Sequence, residues 1–270
     1  MKTLKYIALA ALTCSLAACE QEDFSPSVQG DPDAVRISAT IGALQTRVSY
    51  EDSGVTEFQL NDRIRVISYT RQGKSKNDAV YKFNGPLDWE PVGEDYVVWD
   101  GITDNIFYGV YPSDAKYDTF TIPTDQSGGV QVADWMTAEF KGNKSVGRVN
   151  FIFQHRLAKV TVNITNWNNE FTGTEEITEP KIYTKGTAVK VSYGTGTYGT
   201  DEYTSDDTHT AITASATGRT YTAIVAPSKY DLNDTFMTFK VAGQKMTVLA
   251  TASQLTTASS PAITTPSTSP

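Results

Sequence analysis

The chain has 270 residues, with 23 Lys and Arg against 31 Asp and Glu and a formal net charge of −8. Its 39% hydrophobic content is enough for a packed core, yet no apolar run reaches the roughly 20 residues of a membrane-spanning helix. The acidic balance excludes a basic polynucleotide binder, because phosphate recognition uses a cationic footprint. Two cysteines exclude a disulfide-stapled miniprotein, and two histidines leave little for a metal cage or a nucleophilic triad.

Lys2 and Lys5 precede an apolar stretch from Tyr6 to Leu12, and Leu16-Ala17-Ala18-Cys19 follows. This is the layout of a secretory signal over residues 1–18. Its end resembles a bacterial lipobox, in which Cys19 is diacylated and becomes the new N-terminus. An ordinary signal with a chance cysteine is the plain alternative. Cys14 leaves with the signal and lipid blocks Cys19, so the stability of the remaining chain rests on packing rather than disulfides. Acyl chains at ~0.8 kcal/mol per buried CH₂ would anchor it firmly in a membrane. Residues 19–32, acidic at Glu20, Glu22 and Asp23, read as a tether.

Beyond the tether the hydrophobic period is two, not 3.6. Val35, Ile37, Ala39, Ile41 and Ala43 alternate with Arg36, Ser38, Thr40 and Gly42, which predicts a strand with one face for a core. Further strands are predicted around Ile64–Ser68, Tyr81–Phe83, Phe107–Tyr111, Val149–Phe153, Val160–Ile164, Tyr221–Val225 and Phe236–Val241. Gly, Pro, Asn and Asp separate them, the pattern of an all-β sandwich. The sole helix candidate is a short one around Gln131–Ala138. Thr184 to Thr217 is rich in Ser, Thr, Gly and Asp and reads as a hairpin with long loops. Its acids match no EF-hand-like calcium loop, and solvated turns are the better reading. Residues 251–270 are rich in Ser, Thr and Pro, and Lys245 is the last charged residue. That tail has too little alternation for a strand.

The residues with chemical potential each have a structural reading. His155 beside Arg156 lacks a motif partner, so a hydrogen-bonded structural role is expected. Trp89, Trp99, Trp135 and Trp167 could line a sugar-binding surface, but aromatics in sandwiches more often fill cores. No Gly-x-Ser-x-Gly elbow exists, so no catalytic residue and no cofactor are expected.

Taken in order, several pieces resemble the fimbrillin family of Bacteroidales, the subunits of type V pili. They are the lipobox at Cys19, the alternating strand running into Gln45-Thr46-Arg47, and Phe58 to Val66. Tyr108-Gly109-Val110-Tyr111-Pro112 follows, then Ile122-Pro123 with Gln126, then Asp134-Trp135-Met136. Phe151 to Val160 carries the closest likeness, and Tyr221 to Pro227 completes the set. The likeness spans about residues 16 to 245, and the Ser/Thr/Pro tail departs from it. The resemblance implies two tandem transthyretin-like Greek-key β-sandwich domains, over residues 33–147 and 148–250. It also gives the acidic stretch after Cys19 a meaning as a signal for export to the outer face of the outer membrane, beside its plain reading as a linker.

The same resemblance implies a mechanism. A trypsin-like or arginine-specific protease would cut between Arg47 and Val48. The strand carrying Val35, Ile37, Ala39 and Ile41 would leave with the lipid, and a strand of another fimbrial subunit would fill the groove. Arg36 competes as a cutting site but lies within the strand. The implied role is a pilus subunit, at the stalk or the tip, serving adhesion to host glycans or proteins. Two alternatives stay open: a monomeric surface lipoprotein that binds glycan or host protein, and an anchor subunit that keeps its lipid.

Overall fold

The computed structural model describes residues 31–42, 57–70, 75–85, 88–101, 104–165, 171–192, 202–205, 208–251, 253–254 and 262–263. Within them the alternating segments are strands: β1 (Arg36–Ile41), β2 (Arg63–Thr70), β3 (Ser75–Gly85), β4 (Asp88–Pro91), β5 (Asn105–Tyr111), β6 (Thr119–Thr121), β7 (Met136–Gly142) and β8 (Arg148–His155). Seven of these form one sheet in the order β1-β8-β7-β5-β2-β3-β4. Every pair is antiparallel except β1 with β8, which is parallel. The sheet curls until Ala34, just ahead of β1, bridges Val98, which follows β4. Ile64, Val66, Tyr81, Phe107, Phe151 and Phe153 close the core inside the curl. Phe153 lies so near β5 that a Cβ on Gly109 would stand 2.7 Å from the tip of its ring. Only glycine admits that approach.

The remaining strands are β9 (Ala158–Asn163), β10 (Ile177–Lys185), β11 (Ala188–Ser192), β12 (Glu202–Ser205), β13 (His209–Thr213), β14 (Ser215–Thr217) and β15 (Thr220–Val225). They are followed by β16 (Lys229–Tyr230), β17 (Thr235–Val241), β18 (Gln244–Leu249), β19 (Ser253–Gln254) and β20 (Ala262–Ile263). Two sheets, β13-β10-β17-β18 and β14-β15-β9-β20, send their apolar residues into a second core. Ile182, Ile212, Phe236 and Val241 come from the first, and Val160, Val162, Tyr221 and Val225 from the second. The all-β expectation holds, and each strand expected from alternation has its counterpart. The short helix candidate around Gln131–Ala138 is only a 3-10 turn, Val130–Ala133. Buried Met136 and Ala138 open β7 immediately after it, because alternate burial there outweighs the weak helical pattern. The tail, expected to lack strands, supplies β19 and β20 by short edge pairings with β16 and β9. Backbone pairing of two residues needs no side-chain alternation.

The chain does not pass between the two cores at Gly147, where the family resemblance implies a domain boundary. Gly147 has φ of 77° and donates its N–H to the Lys144 carbonyl, closing the 3-10 turn Lys144–Val146. It is a turn between β7 and β8, and β8 belongs to the first sheet. Conversely, Val110, Ala115, Ile122, Ala133 and Trp135 precede Gly147 yet lie in the second core. β6 joins the later strand β11 in a small sheet with β12.

Gln126 fixes this crossing segment. Its side chain is fully buried. Its Nε2 donates to the Ile224 carbonyl at 2.9 Å, and its Oε1 accepts the Ile224 N–H at 2.8 Å. β14 pairs with β15 only as far as Thr222, so the amide supplies the two hydrogen bonds that a longer β14 would have made. Gln126→Leu keeps the volume but strips both partners from a buried backbone unit. It should lower unfolding free energy by about 2–4 kcal/mol, at 1–3 kcal/mol per orphaned group, measured by urea denaturation.

Candidate functional site: the N-terminal strand and its groove

β1 is the edge of the first sheet, and its register against β8 sets which side chains face inward. Ile37 pairs with Val149, Ala39 with Phe151 and Ile41 with Phe153. Val35 and Ile37 are almost fully buried, at 2% and 3% exposure. Ala39 and Ile41 are half-buried against the same core. The floor beneath them is aromatic. The Phe153 ring lies 5.4 Å from Phe58 and 5.7 Å from Phe151, and Phe58 meets Trp89 edge-on at 4.9 Å. A small alanine against the large Phe151 lets strand and floor interlock.

The other face of β1 is polar. The Ser38 hydroxyl donates to Asn150 Oδ1, and Thr40 is exposed, its hydroxyl making a long 3.5 Å contact with the Phe151 carbonyl. Gly42, at the end of this described segment, donates its N–H to the Phe153 carbonyl at 2.8 Å.

The opposite end of the strand is held more tightly. The Tyr81 hydroxyl, deep in the core, accepts the Val97 N–H at 3.0 Å. Burial pushes that phenol well above its usual range. The Val97 carbonyl in turn accepts the Val35 N–H at 3.0 Å, and Trp99 donates its N–H to the Asp33 carbonyl at 2.8 Å. Residues 33–35 therefore have backbone partners in the Val97–Trp99 segment, while β1 itself pairs with β8. Two carboxylates close the arrangement. Asp31 Oδ2 accepts from the Tyr96 hydroxyl at 2.7 Å, and Asp33 Oδ1 lies 2.7 Å from Lys144 Nζ. The Tyr96 hydrogen bond, helped by the Asp33 N–H and by Lys144, holds the Asp31 carboxyl below its usual range. The same bond, with some burial, raises the Tyr96 phenol.

All four apolar residues expected in the displaced strand thus lie on the groove face. Cys19, Arg47 and Val48 lie outside the described residues. Sequence reasoning missed Asp31, Asp33, Tyr96 and Lys144, since nothing in their spacing links the tether to a loop and a turn more than 60 residues away. The other candidates are structural. His155 Nδ1 lies 2.6 Å from Asp134 Oδ1, with both side chains only 9% exposed. Trp89, Trp99 and Trp135 are core residues, so they form no sugar platform, and Trp167 lies outside the described residues. Among the described residues no three of His, Cys, Asp and Glu are grouped to hold a metal ion. No helix among them is long and apolar enough to cross a membrane.

Two outcomes follow from this geometry. Ile37→Ala should cost about 2–5 kcal/mol in chemical denaturation, the range for deleting a buried aliphatic, whereas Thr40→Ala should change little. The Asp31–Tyr96 bond should also give amide protection near Ala34–Ile37 a defined pH window. A lowered carboxyl stabilises the fold above its ordinary value, 3.8, and that contribution is lost as pH falls through its own lower value. A raised phenol stabilises below its ordinary value, 10.0, and that contribution is lost as pH rises through its higher one. Protection factors should be level between these limits, and Asp31→Asn should remove the acidic limb.

The comparisons with known proteins agree with this architecture. A family model described as Fimbrillin-like matches residues 46–265. No curated protein is similar to the chain. A candidate cell adhesion protein of Bacteroides uniformis superposes with a TM-score of 0.58 at 19% identity, covering 82% of this chain and 85% of its own. Another, from Bacteroides ovatus, gives 0.57 at 11% identity, covering 83% and 88%. A third, from Bacteroides thetaiotaomicron, gives 0.51 at 15% identity, covering 88% and 92%. At these identities the solved structures share the fold, while the family match spans most of the sequence: the chain belongs to the Fimbrillin-like family.

Proposed function

We propose that the chain is a fimbrial subunit of the bacterial surface, exported as a lipoprotein through Cys19 and serving adhesion. A protease cut between Arg47 and Val48 would free β1 from the body of the protein. A strand of another subunit would then enter the vacated groove and pair with β8. The observation that carries this reading is β1 itself. It is an edge strand whose apolar row fills a groove, and Arg47 lies six residues beyond its end in sequence. An edge strand is the one element of a sheet that a foreign strand can replace without breaking the ladder behind it. Family membership and the description of the similar folds as candidate cell adhesion proteins support the surface role. The reading also takes the two cores as two sandwich domains, the chain entering the second between β5 and β7 and again after His155. No enzymatic step by the chain itself enters it.

Two variants test the proposal on separate steps. Arg47→Ala should leave a lipidated chain that is not cut and does not polymerise. Ser38→Cys with Asn150→Cys places a disulfide across a register pair whose side chains already touch. It should be cut normally yet form no fibres until the bond is reduced. Normal fibres from the oxidised double variant would refute strand replacement at β8.

A further inference from the structure

The groove has a polar end as well as an apolar floor. Lys144 stands on the 3-10 turn between β7 and β8, and Tyr96 on the segment after β4. Both reach the carboxylates ahead of β1, Asp33 and Asp31 respectively, at 2.7 Å. Neither belongs to the strand they hold, so both stay with the body when β1 leaves. Whatever replaces β1 then meets a cation and a phenol donor fixed on two separate elements. A carboxylate satisfies both groups, whereas a neutral side chain forfeits the charge attraction.

We infer that Lys144 and Tyr96 select the incoming strand. The occupant is a partner subunit's strand bearing a carboxylate beside its apolar alternation, at the end that lies next to these two residues. This rests on the reading that β1 is replaced, and it names what replaces it. Charge complementarity carries the choice of occupant. Residues 246–270 contain no charged side chain, so a strand drawn from them would offer no side-chain carboxylate to these two residues. The floor adds a second condition, since the β1 position against Phe151 is held by a small residue, Ala39, between positions held by Ile37 and Ile41.

The test uses the full chain with a site-specific protease sequence in place of Gln45–Val48, cut and then offered labelled peptides. One peptide is residues 30–44. A second carries Asp31→Asn and Asp33→Asn, and a third is residues 246–260. The acidic peptide should dissociate about three- to tenfold more slowly than its amide counterpart, the range two partly exposed charge contacts supply together. The gap should narrow in high salt and vanish in protein carrying Lys144→Gln and Tyr96→Phe. The tail peptide should not compete. Equal dissociation of the acidic and amide peptides, or effective competition by the tail peptide, overturns selection by the latch while leaving strand replacement standing. Failure of every peptide to enter, the native sequence included, overturns strand replacement and the selection with it.

Discussion

The first core depends on β8 being covered along its outer edge. β8 carries Val149, Phe151 and Phe153 on one face, and these rings and the Gly109 approach define the middle of the core. With β1 absent, the outward backbone groups of β8 would lack partners and the aromatic floor would meet water. Buried backbone groups without partners cost roughly 1–3 kcal/mol each, and an uncovered apolar edge invites association. The groove therefore requires an occupant, and the strand that precedes it in the chain is the local solution. Because the pairing is parallel, no tight turn ties β1 to β8; the two are 112 residues apart in register. The fold thus closes its core with an element that it holds by surface contacts rather than by chain connection to its neighbour.

The two ends of β1 are held by different physics. Toward Gly42 the hold is packing of half-buried side chains and one side of backbone pairing. Toward Asp31 it is full burial, pairing to the Val97–Trp99 segment and two carboxylates. Hydrophobic burial, at roughly 1.5–3 kcal/mol for each fully buried aliphatic, supplies most of the attachment and little of the choice, since many apolar sequences satisfy it. The exposed charge contacts are individually weak, yet they are the part that distinguishes one apolar strand from another. Affinity and specificity in the groove therefore reside on different residues.

The second core is joined to the first through continuous chain rather than through a linker. β8 runs into β9 across Arg156 and Leu157. The Arg156 N–H binds the Trp135 carbonyl, and the Trp135 indole donates to the Lys116 carbonyl at 3.0 Å. Gln126 then completes β15 from the N-terminal half of the sequence.

Much of this was legible in the sequence. Alternation over residues 35–41 gave the strand and its inward face, since period two is enforced wherever one face of a sheet is dry. Short aromatic and β-branched runs gave the all-β class, and the ordered pieces through Val160 gave the family. The pairing of β1 with β8, the passage of Val110–Trp135 into the second core, and the meeting of Asp31 and Asp33 with Tyr96 and Lys144 were decided only by the tertiary structure. Burial is recorded residue by residue along the chain, as hydrophobicity at a fixed period. Partnership between distant polar groups leaves no period, because a lysine in a turn and an aspartate in a tether look alike whether solvated or joined.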